Sequence, residues 1–195
     1  MGKKVGITAA GSTTQILTEL MLRSAGVPQS AVSVEPLGSV AEEQAGFISG
    51  AINAYLVAPP GTSIALADHP GSKIVVQLGS LIPWVWAGLA AYMPYANSHK
   101  SVTVAVLRSL VEALKSWEHD PKGAEATLSK VGGTTSPAIL QAAYADSLKV
   151  ITTKPVPSAT AEAFVLQTLS ASQPKAKGAA PSKFFDDTYI NEVLK

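Results

Sequence analysis

In Lys3-Lys4-Val5-Gly6-Ile7-Thr8-Ala9-Ala10-Gly11-Ser12-Thr13-Thr14-Gln15 an apolar run gives way to small and hydroxylic residues, and these lead into a helix-forming pattern. Lys4 to Thr8 reads as a short buried strand. Gly11-Ser12 then opens a helix with Ile16, Leu17, Leu20 and Met21 on one face and Gln15, Thr18, Glu19 and Arg23 largely on the other. Ser12 and Gln15 stand at capping-box spacing, in which the Ser hydroxyl takes the amide of the third helical residue and the Gln side chain reaches back. Gly26 suits the position just past the helix end.

The same unit repeats. Val32 to Leu37 reads as a second strand, and Ser39 with Glu42 forms a second capping box before a helix through Ala45, Phe47 and Ile48 to Gly50. Ala51 to Ala58 is expected as a third strand, ended by Pro59-Pro60-Gly61. A short helix over Ser63 to Ala67 and a fourth strand over Lys73 to Leu78 complete the series. Apolar strands alternating with helices imply a parallel sheet covered on both faces, so the fold class is α/β.

After residue 82 the pattern changes. An extended segment, Pro83 to Tyr92, precedes a long helix over Ser98 to Trp117, whose expected buried stripe is Val102, Val106, Leu110, Leu114 and Trp117. Arg108, Glu112 and Lys115 form its solvated face. Asp120-Pro121 and Ser136-Pro137 start two further helices, Ser158 caps another, and a short helix from Asp187 ends the chain. Trp84 and Trp86, two apart, are expected on one face, buried against the helical half. Two parts follow: residues 1–82, an α/β lobe, and residues 83–195, mainly helical.

Composition narrows the function. Of 195 residues, 47% are hydrophobic and 15% charged, which excludes a disordered chain. The 15 basic and 14 acidic residues leave a formal net charge of +1, so no long-range field is available to hold nucleic acid. Without cysteine there is no disulfide, thiolate nucleophile or thiolate metal site. The longest window free of Lys, Arg, Asp and Glu, residues 74–99, is interrupted by Pro83, Gly88 and Pro94, and is read as strand and loop rather than a membrane span. No signal-peptide pattern precedes the first strand.

Ligands of open parallel sheets bind beyond the carboxyl ends of the strands. Those ends are Ala9 to Thr14, Gly38-Ser39 and Pro59-Pro60-Gly61, all small, hydroxylic or uncharged, and two of them lead into helix starts with free amides. Gly11, Ser12, Thr13 and Thr14, with Gly38 and Ser39, therefore suit a small oxyanion such as a sulfonate, nitrate, phosphate or carboxylate. The same residues also serve as ordinary helix caps. The strand-end loops contain no Asp, Glu, His, Lys or Arg, so no catalytic residue is assigned and the chain is not expected to be an enzyme. His69, His99 and His119 fall at helix ends or loops, no metal-ligand spacing occurs, and the glycines match neither phosphate-loop nor dinucleotide signatures. No cofactor is expected.

Gly2-Lys3-Lys4-Val5-Gly6-Ile7-Thr8 followed by Gly11-Ser12-Thr13-Thr14 resembles the opening of the second lobe in solute-binding proteins of bacterial ABC importers, of the aliphatic-sulfonate/nitrate/thiamine-precursor type. Pro36-Leu37-Gly38-Ser39, Ser49-Gly50-Ala51-Ile52-Asn53-Ala54, Pro59-Pro60, Leu81-Ile82-Pro83 and Phe184-Phe185-Asp186-Asp187 follow in the family's order. The resemblance implies a type 2 periplasmic-binding fold, hinge closure of two lobes on a ligand, a permease partner, and a periplasmic or cell-surface location. It carries ligand contact onto Ser12, Thr13 and Thr14, onto Gly38 and Ser39, and onto Pro59. Asn53 stands where the family usually carries Asp. The family also has a stretch before this chain's first strand, so a truncated protein with exposed apolar surface on its helical part is expected. An enzyme or a sensor domain on the same fold is the alternative.

Overall fold

The computed structural model describes residues 2–195, with Ser80 described by its backbone alone. The chain is mixed α/β and predominantly helical, and clusters into two compact units, residues 1–74 with 124–147 and residues 75–123 with 148–195. The sequence divides once, at residue 82; in the structure residues 75–82 go with the second unit and residues 124–147 return to the first.

The first unit is built on a three-stranded parallel sheet in the order β2-β1-β3, with β1 Lys3–Ile7, β2 Val32–Pro36 and β3 Ala54–Tyr55. β1 is central, pairing Val5 with Val34 on one side and with Ala54 on the other. Helices α1 (Thr13–Ser24), α2 (Val40–Ile48) and α3 (Gly61–Asp68) follow the three strands in turn. A side chain at Gly6 would meet Ile52 Cδ1 at 2.6 Å, so this glycine lets the chain around α2 and β3 lie close on β1. Ile7, Leu17, Ile52 and Ile64 are buried in this unit. So are Leu128 of α6 (Pro121–Gly132, in this unit from Ala124) and Leu140 and Ala143 of α7 (Pro137–Ser147), and α7 packs on α3.

Two expected strands differ. The third shrinks from eight residues to Ala54–Tyr55 because Asn53 spends both backbone and side chain on Lys4: its N–H donates to the Lys4 carbonyl at 2.8 Å, and its Oδ1 accepts the Lys4 N–H at 2.9 Å. Beyond Tyr55 the chain runs into Pro59-Pro60, which have no N–H for a ladder. The fourth strand, Lys73 to Leu78, does not form, since so short a neighbour offers too little edge. Val75 is left 92% exposed.

The second unit holds the extended segment from Pro83 to Tyr92, then α4 (Met93–Ser98), α5 (Lys100–His119), α8 (Ala159–Leu169) and α9 (Thr188–Val193). The expected long helix over Ser98 to Trp117 forms as α5, and the short α4, not expected from the sequence, precedes it, the two meeting at His99, the C-cap of α4 and N-cap of α5. The α5 helix packs against α9, and the contact is tied by Lys100–Glu192 at 2.9 Å and by the Tyr189 hydroxyl donating to Asn97 of α4 at 2.6 Å. Of the expected α5 stripe, Leu114 and Trp117 are half-buried, but the other three residues are not. Val104 and Val111 are buried, while Val102, Val106 and Leu110 face outward at 40% exposure or more. Apolar residues line both faces of α5, so periodicity alone does not choose between them. Trp84 is buried edge-on to Phe164 of α8, with ring centroids 6.3 Å apart, whereas Trp86 is exposed. The irregular backbone between them does not keep strand alternation.

Val111→Ala should therefore destabilise the protein by about 1–3 kcal/mol, through lost burial and a cavity. Val106→Ala should change stability by no more than about 0.5 kcal/mol. Urea unfolding of the two variants measures both; equal losses would place the buried face elsewhere.

Candidate functional site

The ladder between β1 and β2 continues past the strand ends. Leu37 N–H donates to the Ile7 carbonyl and Gly38 N–H to the Thr8 carbonyl, both at 2.9 Å. This joins the loop before α1 to the loop before α2 and brings Gly38 to the Thr8–Thr14 cluster. There Thr14 Oγ1 accepts the Thr8 N–H at 2.9 Å and lies 3.1 Å from Thr8 Oγ1 and 2.7 Å from Ser12 Oγ.

Ser12 caps α1 as expected, accepting the Gln15 N–H at 3.3 Å. The returning Gln15 side chain overshoots by one residue: its Oε1 accepts the Gly11 N–H at 2.7 Å, because the Ser12 N–H is already bonded to the Ala9 carbonyl. Gly11 has φ +77°, a left-handed conformation that suits glycine. Ile16 N–H reaches the Ser12 carbonyl, so the amides left over at the start of α1 are those of Thr13 and Thr14. Thr13 is exposed, and no acid lies in the first turn. The Ser12 and Thr14 side chains are thus committed to holding the loop, while Thr13 is exposed and the two amides are left without an intrahelical acceptor.

The second cap is built alike but charged differently. Ser39 Oγ accepts the Glu42 N–H at 3.3 Å, and Gly38 takes φ +104°. Glu42 and Glu43 both fall in the first turn of α2, and a Glu42 carboxylate oxygen lies 2.5 Å from where a side chain on Gly38 would begin. The helix start is already served by its own acid, which favours an anion at α1 over α2. Pro59 stands apart from both. It is joined to Pro60 by a cis peptide bond, and Gly61 N–H donates to the Ala58 carbonyl at 2.9 Å to close the turn into α3. The structure therefore brings Gly11, Ser12, Thr13, Thr14, Gly38 and Ser39 into one neighbourhood and puts Pro59 at the third strand end.

Sequence reasoning passed over Glu43. It is fully buried, with neither carboxyl oxygen hydrogen-bonded, against β1 beside Gly6. Burial pushes its carboxyl up to about 7 from the usual 4.5, and pushes the Tyr55 hydroxyl up to about 12, with a smaller contribution from the Glu43 charge. The signal lay in spacing: Glu43 is four residues before Phe47 and shares its face of α2, and Phe47 packs on Tyr55 at 5.2 Å and on His69 at 5.1 Å. Each histidine sits at a helix end: His69 pairs with Ser72, His99 stacks on Tyr95, and His119 Nδ1 donates to the Lys115 carbonyl at 2.8 Å. Among the described residues no group of three His, Cys, Asp or Glu could hold a metal, and no helix is long and apolar enough to cross a membrane.

Comparison with known proteins finds no matching family model, no matching curated protein and no matching solved structure.

The buried Glu43 carboxyl has a consequence for stability. Its folded pKa lies above the unfolded value, so the folded state holds the proton more tightly; that contribution is complete below about pH 4.5 and is lost as pH rises through about 7. The loss amounts to about 3 kcal/mol. Chemical denaturation across that range should show stability falling with pH in the native sequence and a flatter profile in Glu43→Gln. Equal slopes would contradict the assignment.

Proposed function

We propose that this chain is the solute-binding component of an ABC importer, on a type 2 periplasmic-binding fold. Residues 1–74 with 124–147 are its α/β ligand-binding lobe, and residues 75–123 with 148–195 supply the extended return segment and the helical part of the partner lobe. It captures a small anionic or heterocyclic solute of the sulfonate, nitrate or thiamine-precursor class, in the periplasm or at the cell surface, and delivers it to a permease.

The observation that carries the proposal is the start of α1. Two amides without an intrahelical acceptor and the exposed Thr13 hydroxyl stand at the carboxyl edge of a parallel sheet, with no acid in the helix's first turn. Hydrogen bonds from fixed amides to a small anion suit capture and release, because the donors are pre-positioned and no bond to the ligand is made or broken. The strongly raised carboxyl of Glu43 is sealed from solvent, so it is not available for a reaction at the strand ends. In the importer reading, the outward apolar face of α5 at Val102, Val106 and Leu110 is a packing surface within the partner lobe.

Thr13→Asp separates binding from folding. An acid at the first helical position complements the helix dipole, so the ligand-free melting temperature should hold or rise. The same charge occupies the anion site. A thermal-shift screen with methanesulfonate, taurine, nitrate, phosphate and aminopyrimidines should find a stabilising solute for the native sequence and lose that stabilisation in Thr13→Asp. A solute that stabilises both proteins equally would move the site away from α1.

A further inference from the structure

The start of α3 is buried, yet its polar groups are not satisfied. Pro60, Gly61, Ser63, Ile64 and Ala65 are all buried, and Pro60, the N-cap, has no side chain that can cap the helix. Gly61 N–H is used by the Ala58 carbonyl and Ile64 N–H by the Pro60 carbonyl, which leaves the Thr62 and Ser63 amides with no intrahelical acceptor. The hydroxyls of the same two residues are also buried and without a partner, and Ser63 is only 7% exposed. In a helix the Cα–Cβ bonds tilt toward the N-terminus, so these hydroxyls, on the second and third helical residues, aim at the same end as the amides.

A buried helix start with orphaned amides and orphaned hydroxyls calls for a group that accepts hydrogen bonds. The walls are close. A side chain on Gly132 would meet Pro60 Cγ at 2.7 Å and Ile64 Cδ1 at 3.2 Å, so the end of α6 presses on this turn only because Gly132 has none. A side chain on Gly61 would first meet Val57 Cγ2 and then, from α2, Gln44 Oε1 at 3.5 Å. The Gln44 amide can turn either its oxygen or its nitrogen toward the turn. Thr62 and Pro59 are partly exposed, although the Thr62 hydroxyl is itself buried.

We propose that the start of α3 is a second binding site, taking a small oxyanion or a carboxylate on the amides and hydroxyls of Thr62 and Ser63, with the Gln44 amide as a further donor. All of these donors are neutral, so the site selects by hydrogen-bond geometry and the helix dipole and holds its ligand weakly enough for exchange. It stands on its own observations and does not need the α1 site to be occupied.

Titration of the 15N-labelled protein with acetate, sulfate or methanesulfonate tests it. Saturable shifts are expected at the Thr62 and Ser63 amides, in the native sequence and in Thr13→Asp alike. Ser63→Ala should weaken that binding about tenfold while holding or raising the melting temperature, since it removes a buried hydroxyl with no protein partner. Amides at 62 and 63 that stay unmoved by all three anions overturn the proposal. So does a Ser63→Ala protein that melts lower and binds unchanged, because the hydroxyl would then be a structural group satisfied by water. Shifts at Thr62 and Ser63 alongside silence at Thr13 and Thr14 would keep this site and remove the one at α1.

Discussion

The structure depends on the central position of β1. Its two edges are both used, with β2 on one and β3 on the other, and every helix start in the candidate site hangs from a strand end that β1 aligns. The decisive bonds lie just past the ladder, where Leu37 and Gly38 donate to the Ile7 and Thr8 carbonyls. They fix the second helix's cap against the first strand's exit. Gly6 matters for the same reason: only a residue without a side chain lets Ile52 and Glu43 pack at 2.6 and 3.5 Å from the point where Cβ would stand.

A helix start that faces solvent is cheap, because water satisfies it. The three starts at this sheet edge meet that requirement differently. The start of α2 brings its own acid, Glu42, and needs no ligand. The start of α1 spends Ser12, Thr14 and Gln15 on shaping its loop and leaves two amides without an intrahelical acceptor. The start of α3 is buried with nothing supplied. Binding capacity follows from that contrast, since a donor is useful to a ligand only when the protein has not already used it.

Much of this was legible in the sequence. The strand-loop-helix units at Lys4 to Arg23 and Val32 to Ile48 were readable because period, cap and glycine agree at each position, and the Ser12, Ser39 and Ser158 caps all form. The third and fourth strands were not, because apolar β-branched residues such as Val75 and Val76 signal a strand only if a neighbour offers an edge, and Asn53 with Pro59-Pro60 had shortened that neighbour. The buried face of α5 was ambiguous for a different reason: Val and Leu occur on both sides, and the choice belongs to α9. Glu43, Thr62 and Ser63 were missed because sequence lists chemistry by loop, whereas burial, which makes these groups unusual, is a property of the packed unit.

The most direct test of anion capture at the sheet edge is a crystal grown or soaked in selenate or bromide and measured at the anomalous edge. The account predicts an anomalous peak at the start of α1, within hydrogen-bond reach of the Thr13 and Thr14 amides. A protein that binds the ion only elsewhere on its surface, with those amides facing bulk water, would contradict it.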